Sequence, residues 1–407
     1  MTHMDHSLEQ TARTLSLREF TVMLASLIAT VAFSIDAMLP ALSDIAAALT
    51  PEDVNKAQLI LTSFVFGMGA GTFFVGPISD AIGRRVTIAL GIVIYMTGAI
   101  IAISANSLEA LLVARFIQGF GASSPRLVPM ALVRDLYRGR EMAQVTSIIM
   151  MIFIIVPALA PSIGAAIIAF SDWRGIFYVF CLFGTIGVTW LFLRQPETLP
   201  PERRRPLRLG ALVAGASEVL RDRQVCLYIV IMTLGFSQMF AAVSSAEQLY
   251  KAYGVTDHFP RWFALGALMA GSFSFLNSRL VVRLGMRRIV SVAYRTQVVI
   301  SLVMLALQIA GMPQSGWGFA VFFLYFTSVF AMAGVTFGNL NALAMQNVGH
   351  LAGMAASVIT ALSTVGSVMI AAPIGLAFNG TVLPLVIATF VCSGLAMLLM
   401  TRTQGEG

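Results

Sequence analysis

Asp36 is an acidic residue inside an apolar run, from Phe20 to Pro40, that is long enough to cross a lipid bilayer. A charge at that depth costs roughly 3 kcal/mol on insertion scales, so such side chains usually face an interior or a water-filled cavity. Burial favours the neutral form of a carboxyl group, and carboxyl groups in this setting often carry protons. Asp36 is therefore a candidate proton site.

Arg115 is a second charge inside an apolar segment. Counted along two helices at about 1.5 Å per residue, Arg115 and Asp36 reach comparable heights in the membrane. An arginine nearby favours the ionised carboxylate, whereas burial opposes it. The pair could therefore switch with protonation and couple it to conformation, or form a permanent structural ion pair.

Three further polar positions are candidates for substrate contact or for packing. Arg126 follows Arg115 by three helical turns on the same helix face, where it either snorkels to the interface or makes a cavity positive. A positive cavity would suit an acidic or strongly polar substrate. Gln238 is either a cavity hydrogen-bonding group or a satisfied interhelical contact. Glu247 and Lys251, at i and i+4, are expected to form an exposed ion pair.

The elements that position these residues are membrane-spanning helices. Of the 407 residues, 58% are hydrophobic and only 11% are charged, far below the usual share of about a quarter in soluble domains. Long apolar stretches recur along the whole chain. They predict an all-α membrane protein with twelve spans, at about 20–44, 57–79, 86–105, 108–133, 142–169, 175–194, 225–249, 261–282, 288–311, 317–341, 351–377 and 381–401.

The basic residues predict the orientation of these spans. Four of the 26 lysines and arginines fall on the side away from the termini, three lie inside spans, and the remaining nineteen lie on the side of the termini. The positive-inside rule therefore predicts that both termini are cytoplasmic. The net charge of +7 is explained by topology, so nucleic acid is not an expected partner.

The loop at 195–224 divides the chain into two sets of six spans. We expect a cytoplasmic tail at 1–18, an N-terminal half at 19–194, a cytoplasmic linker at 195–224 and a C-terminal half at 225–407. Residues 76–85 and 278–288 each end in glycine and arginines at a turn, a weak internal repeat. Such duplication is typical of transporters that bind substrate between two halves.

Several motifs resemble those of the major facilitator superfamily. Residues Gly76 to Arg85 resemble its loop motif, Arg115 to Ser123 its arginine motif, and Val156 to Gly164 its antiporter motif. The stretches 34–42, 133–137 and 338–344 resemble the Bcr/CflA-type drug:proton antiporters in particular. The resemblance covers nearly the whole chain. Ala81 and Val156 depart from it, since the family usually has a basic residue and a glycine there.

The resemblance implies roles for these motifs in gating. The acid of the loop motif, Asp80, would lie near the start of the eleventh span, around Gly349 to Gly353, where the helix dipole favours negative charge. The prolines of the antiporter motif would bend the fifth span, in gating or in plain packing. The gating residues expected are Gly76, Asp80, Gly83, Arg84, Arg85, Pro157, Pro161 and Gly164.

The function expected is proton-coupled export of small amphipathic compounds by alternating access, with Asp36 and Arg115 in proton coupling. Asp36, Arg115, Arg126 and Gln238 are the expected substrate-binding residues. The alternatives are a dedicated exporter or importer of an anionic metabolite and a membrane sensor that does not transport. No enzyme motif or metal-binding pattern occurs in the sequence, and the proton gradient would replace a cofactor. We expect a monomer in a bacterial inner membrane.

Overall fold

The structure, a computed structural model, describes residues 15–204, 206–207, 209–256, 258–346, 348 and 352–403. The tail prediction therefore lies largely outside the described residues. The first half contains α1 (Leu17–Asp36), α2 (Leu42–Leu49), α3 (Leu59–Ile82), α4 (Arg84–Ile103), α5 (Leu108–Leu136), α6 (Gly139–Phe170) and α7 (Gly175–Arg194). The rest contains α8 (Leu209–Arg221), α9 (Arg223–Ala252), α10 (Phe259–Leu284), α11 (Met286–Ile309), α12 (Trp317–Met345), α13 (Ala352–Leu376) and α14 (Leu383–Arg402).

Ten of the described helical segments are long and apolar enough to cross a membrane. They match ten of the twelve predicted spans, with α1 and α2 together forming the first. The two other predicted spans are occupied by α5, which carries Arg115 and Arg126, and by α6, whose second half is a shorter apolar helix at Ile155–Phe170. The linker contains a helix of its own, α8.

Local signals explain where several helices begin and end. Ser107 and Asp222 accept hydrogen bonds from free amides in the first turns of α5 and α9. Gly83 and Gly285 end α3 and α10 with φ of +103° and +78°, values that favour glycine. These two glycines occupy matching places in the repeated motif, so the duplication seen in the sequence is also present in the backbone.

The ends of the helix bundle can be told apart by their contacts. Glu19 near the start of α1 bonds Arg194 at the end of α7, and Arg287 at the start of α11 bonds the Met400 carbonyl near the end of α14. We name this the connector end, because Glu197 and Thr198 of the linker also lie there, and we name the opposite one the distal end. The helix pairs α3–α13 and α6–α10 join the two halves.

Candidate functional site

Asp36 lies where the first span is interrupted. α1 ends at Asp36, a short 3-10 turn follows at Leu39–Ala41, and α2 begins at Leu42. The sequence suggested that Asp36 lies within a continuous helix, and Pro40, which lacks an amide hydrogen, is the physical reason why the helix does not continue. The side chain is only 7% exposed, and no hydrogen bond or ion pair reaches its carboxylate from the residues that the structure describes.

Gly164 of the antiporter-like motif contacts this interruption directly. A Cβ atom at Gly164 would overlap the carbonyl oxygen of Ala37, the residue that follows Asp36. Only glycine therefore allows α6 to approach the broken span so closely. Pro161 and Pro157 lie about one and two turns earlier, and α6 remains one continuous helix through both of them. The structure thus brings Gly164 next to Asp36, although separate roles were predicted for them.

Arg115 is fully buried, and its guanidinium is held by neutral groups. It donates to the Ser34 carbonyl oxygen at 2.9 Å and to Gln118 Oε1 at 2.6 Å, with a longer bond to the Ile60 carbonyl oxygen at 3.4 Å. Its guanidinium carbon lies 4.4 Å from the centre of the Phe64 ring, a cation–π contact. Arg115 therefore ties α5 to α1 and α3.

Asp36 and Arg115 share a neighbour and do not pair in this state. No ion pair joins them within the described part of the chain, because Arg115 binds the backbone two residues before Asp36. The Ser34 hydroxyl is hydrogen-bonded to the Tyr95 hydroxyl at 2.6 Å, which adds α4 to the same cluster. A shift of the backbone at Asp36 would therefore also change the hydrogen bond between Arg115 and the Ser34 carbonyl oxygen.

Arg126 is half-buried, and its partner is a weaker hydrogen-bond acceptor than the oxygen atoms that bind Arg115. Its guanidinium lies 3.5 Å from the sulfur of Met68 on α3. No acidic side chain pairs with it among the residues that the structure describes. A buried cation without a counter-ion is costly, so this position is suited to an anionic group from outside the protein.

Gln238 is satisfied within the second half. Its side-chain nitrogen donates to the Leu234 carbonyl oxygen at 3.1 Å, and its side-chain oxygen accepts from Ser393 at 2.8 Å. The residue is fully buried between α9 and α14. These contacts favour the interhelical reading over substrate binding, which stays a prediction.

The loop motif forms a cluster of charges at the connector end, centred on Arg84. The Arg84 guanidinium bonds Asp80 at 2.6 Å on one side and Asp135 at 3.0 Å on the other. Asp80 was expected near Gly349 to Gly353, and residues 349–351 of that stretch lie outside the described residues. Gly76 faces the second half, where a Cβ would lie 2.8 Å from the Ser357 hydroxyl oxygen on α13.

Glu197 completes this cluster and was not identified from the sequence. Its carboxylate accepts hydrogen bonds from the backbone amides of Arg84 at 2.9 Å and Arg85 at 3.1 Å, at the start of α4, and from those of Thr198 and Leu199 at 3.0 Å. A carboxylate at a helix N-terminus is favoured by the helix dipole. It lies 113 residues from Arg84 in sequence, so no local pattern pointed to it.

The distal end closes the molecule through polar contacts between the halves. Asn55 donates to the Phe378 carbonyl oxygen at 2.7 Å, and Gln58 bonds Gln248 and accepts from Ser245 at 2.9 Å. Glu247 accepts from Ser43 of α2 at 2.5 Å and is only 7% exposed. The expected exposed ion pair of Glu247 with Lys251 is therefore wrong, because Glu247 faces the other half.

The molecule has two sets of six long helices, with charges buried inside the first set and polar contacts that close one end. This architecture is that of a transporter of solutes across membranes. A family model described as Major Facilitator Superfamily matches residues 22–371. The bicyclomycin resistance protein homolog of Haemophilus influenzae is 32% identical over 83% of this chain and 84% of that protein. Multidrug resistance protein D of Escherichia coli is 32% identical over 45% of this chain and 46% of that protein.

The fold is also shared with solved structures. The xylose transporter XylE from E. coli, in a partially occluded inward-open conformation, superimposes with a TM-score of 0.74 at 14% identity, covering 96% of this chain and all of that one. The chain belongs to the Major Facilitator Superfamily. It is a multi-pass membrane protein and a secondary transporter, and not an enzyme.

Proposed function

We propose that this transporter exports small amphipathic compounds in exchange for protons. The observation that carries the proposal is the Asp36 carboxyl group, buried at the interruption of the first span with no partner among the described residues. The names of the relatives, a bicyclomycin resistance protein homolog and a multidrug resistance protein, support efflux of small molecules.

The mechanism follows from the cost of burying an unpaired charge. Protonated Asp36 is neutral and tolerates the buried position, whereas ionised Asp36 favours a state in which water or a cation reaches it. Arg115 holds the Ser34 carbonyl on the same segment, so movement of that segment changes the arginine's contacts as well. Substrate and proton need not share an atom, because it is enough that they favour opposite states.

The direction of transport depends on the orientation of the chain. We infer from the arginine-rich connector end that the termini face the cytoplasm of a bacterial inner membrane. On that orientation the distal contacts close the periplasmic side. The cluster of Arg84 with Asp80 and the bend-forming prolines of α6 would then act in gating. An alkaline phosphatase fusion at Arg402 tests this, since enzymatic activity of the fusion would place the C-terminus in the periplasm and refute the orientation.

The test of proton coupling is transport by purified protein in liposomes. With bicyclomycin as the first compound, addition of substrate to proton-loaded vesicles should move protons, read by a trapped pH-sensitive dye. Asp36→Asn should abolish this coupled movement and leave binding measurable by thermal shift. Glu52→Gln, an exposed acid on the distal surface, is the matched control and should behave as wild type. Unchanged proton-driven transport in Asp36→Asn would refute the role of Asp36.

A second candidate is transport of an anionic metabolite, favoured by the unpaired guanidinium of Arg126 beside Met68. Arg126→Ala should then weaken anionic ligands at least tenfold more than neutral ones. Equal losses for both ligand types would remove this candidate. A sensor that binds without transporting predicts ligand binding with no substrate-driven proton movement, so the same liposome assay separates it from both transport proposals.

A further inference from the structure

Glu247 is a buried acid that the proton mechanism at Asp36 does not use. It lies in the last turns of α9, at the distal end, and only 7% of its surface is exposed. Its Oε1 accepts a 2.5 Å hydrogen bond from the Ser43 hydroxyl, which belongs to the opposite half. Its Oε2 is buried and has no hydrogen-bond partner among the described residues. This is the one carboxyl group in the distal contacts named above.

Burial opposes an ionised carboxylate at Glu247, and the two charges nearest to it act in opposite directions. Lys251 lies one turn further along α9, and Asp44 follows Ser43 on α2. Neither forms an ion pair with Glu247 within the described residues: Lys251 attracts an ionised carboxylate from a distance, and Asp44 repels it. An ionised carboxylate buried without a cation is costly, whereas a carboxylic acid in the same place is not.

A cavity borders this contact on the distal side. A cavity of about 630 Å³ opens at the distal end and is lined by Ser43, Gln248 and Lys251. Ser43 is therefore both the partner of Glu247 and part of the cavity wall. When the halves separate at this end, Glu247 loses Ser43 and becomes exposed to distal water.

We propose that Glu247 is a proton-operated latch, whose protonation permits the distal end to close and whose ionisation favours the open state. On closing, the carboxylate takes one proton from distal water, and on opening it returns that proton to the same water. No net proton crosses the membrane through Glu247. The latch rests on the alternating access in the proposed function and does not depend on a proton role for Asp36.

The test measures the distance across the distal end as a function of pH. Spin labels at Ala48→Cys on α2 and Ser315→Cys between α11 and α12, with the three native cysteines replaced, report the fraction of closed molecules. One linked proton changes the closed-to-open ratio by up to about tenfold per pH unit. We expect the closed fraction to fall as the pH rises.

Variants at and around Glu247 separate the latch from other causes. Glu247→Gln, neutral and of the same shape, should stay closed with no pH dependence, whereas Glu247→Asp should restore a pH dependence. Ser43→Ala should open the distal end at lower pH than wild type, which keeps the test available if Glu247→Gln does not fold. Glu52→Gln should keep the wild-type profile.

The outcome also distinguishes the latch from the Asp36 proposal. Asp36→Asn should keep the pH-dependent distance change even where coupled transport is lost. Wild-type pH dependence in Glu247→Gln, or a closed fraction in wild type that does not respond to pH, would overturn the latch. Loss of the distance change in Asp36→Asn alone would assign the pH response to Asp36 and not to Glu247.

Discussion

The two halves share a fold and differ in how their interiors are stabilised. The first half buries charge, with Arg115 bonded to backbone and amide oxygens and Asp36 at a broken span. The second half buries the acid Glu247 at its distal end, and its deeper contacts include neutral pairs such as Gln238 with Ser393 and Tyr325 with Thr389. The repeat thus fixes the helix arrangement, while Asp36 and Arg115, the residues of the proposed proton coupling, both lie in the first copy.

The halves also differ in how closely their helices approach. In the first half, Cβ atoms at Gly67 and Gly119 would overlap the carbonyl oxygens of Phe116 and Phe64, so α3 and α5 touch backbone to backbone. In the second half, glycines such as Gly235 and Gly334 face side-chain hydroxyls instead. A side chain can rotate away from an added atom more easily than a helix backbone can shift, so we expect the first half to tolerate less change at these glycines.

One pair of substitutions tests the difference in packing between the halves. We expect this pair to have the largest effect on the yield of folded protein. Gly119→Val should leave little folded protein, because overlap with the Phe64 backbone costs about 3 kcal/mol or more. Gly394→Val is the control, since no atom lies within 4 Å of a Cβ at Gly394. Size-exclusion profiles of detergent extracts measure both. Equal yields would contradict the backbone contact.

Comparing Arg115→Lys with Gln238→Leu tests the difference in buried charge between the two halves. A lysine keeps the charge but has one donor nitrogen in place of the two with which Arg115 reaches Ser34 and Gln118, so we expect a loss of about 2–4 kcal/mol. Gln238→Leu removes neutral hydrogen bonds and should cost about 1 kcal/mol. The midpoints of thermal unfolding, measured for both variants in the same detergent, show which substitution costs more stability. A larger fall for Gln238→Leu would show that the second half depends more on its polar contacts.

The smallest expected effect concerns the repeated turns. Gly83→Ala adds strain at φ +103° and displaces the Glu197 carboxylate, whereas Gly285→Ala adds strain alone, because nothing lies within 4 Å of its Cβ. Strain of this kind costs about 1–3 kcal/mol. The difference between the two shifts in thermal midpoint measures the Glu197 contact. Identical shifts would mean that Glu197 contributes nothing.

Much of the fold could be predicted from the sequence, because membrane spans and glycine turns depend on residues that are close together in the chain. Hydropathy placed the helices to within a few residues, and the depth of Arg115 indicated burial. Its partners could not be predicted, because the Ser34 carbonyl is a backbone group 81 residues away in sequence. Glu247 was misjudged for the same reason. Its partner Ser43 is 204 residues away, and the nearby Lys251 offered a simpler local explanation.

The Glu197 contacts have a practical consequence for dividing the gene. Because Glu197 binds the start of α4, and Thr198 bonds Asp135, the first residues of the linker are anchored to the first half. Two-plasmid expression of the halves should therefore succeed when the break falls after Arg204. A break after Arg194 would leave the amides of Arg84 and Arg85 without their carboxylate. Residues 195–204 should therefore stay with the first fragment. A split reporter should be fused after Arg204.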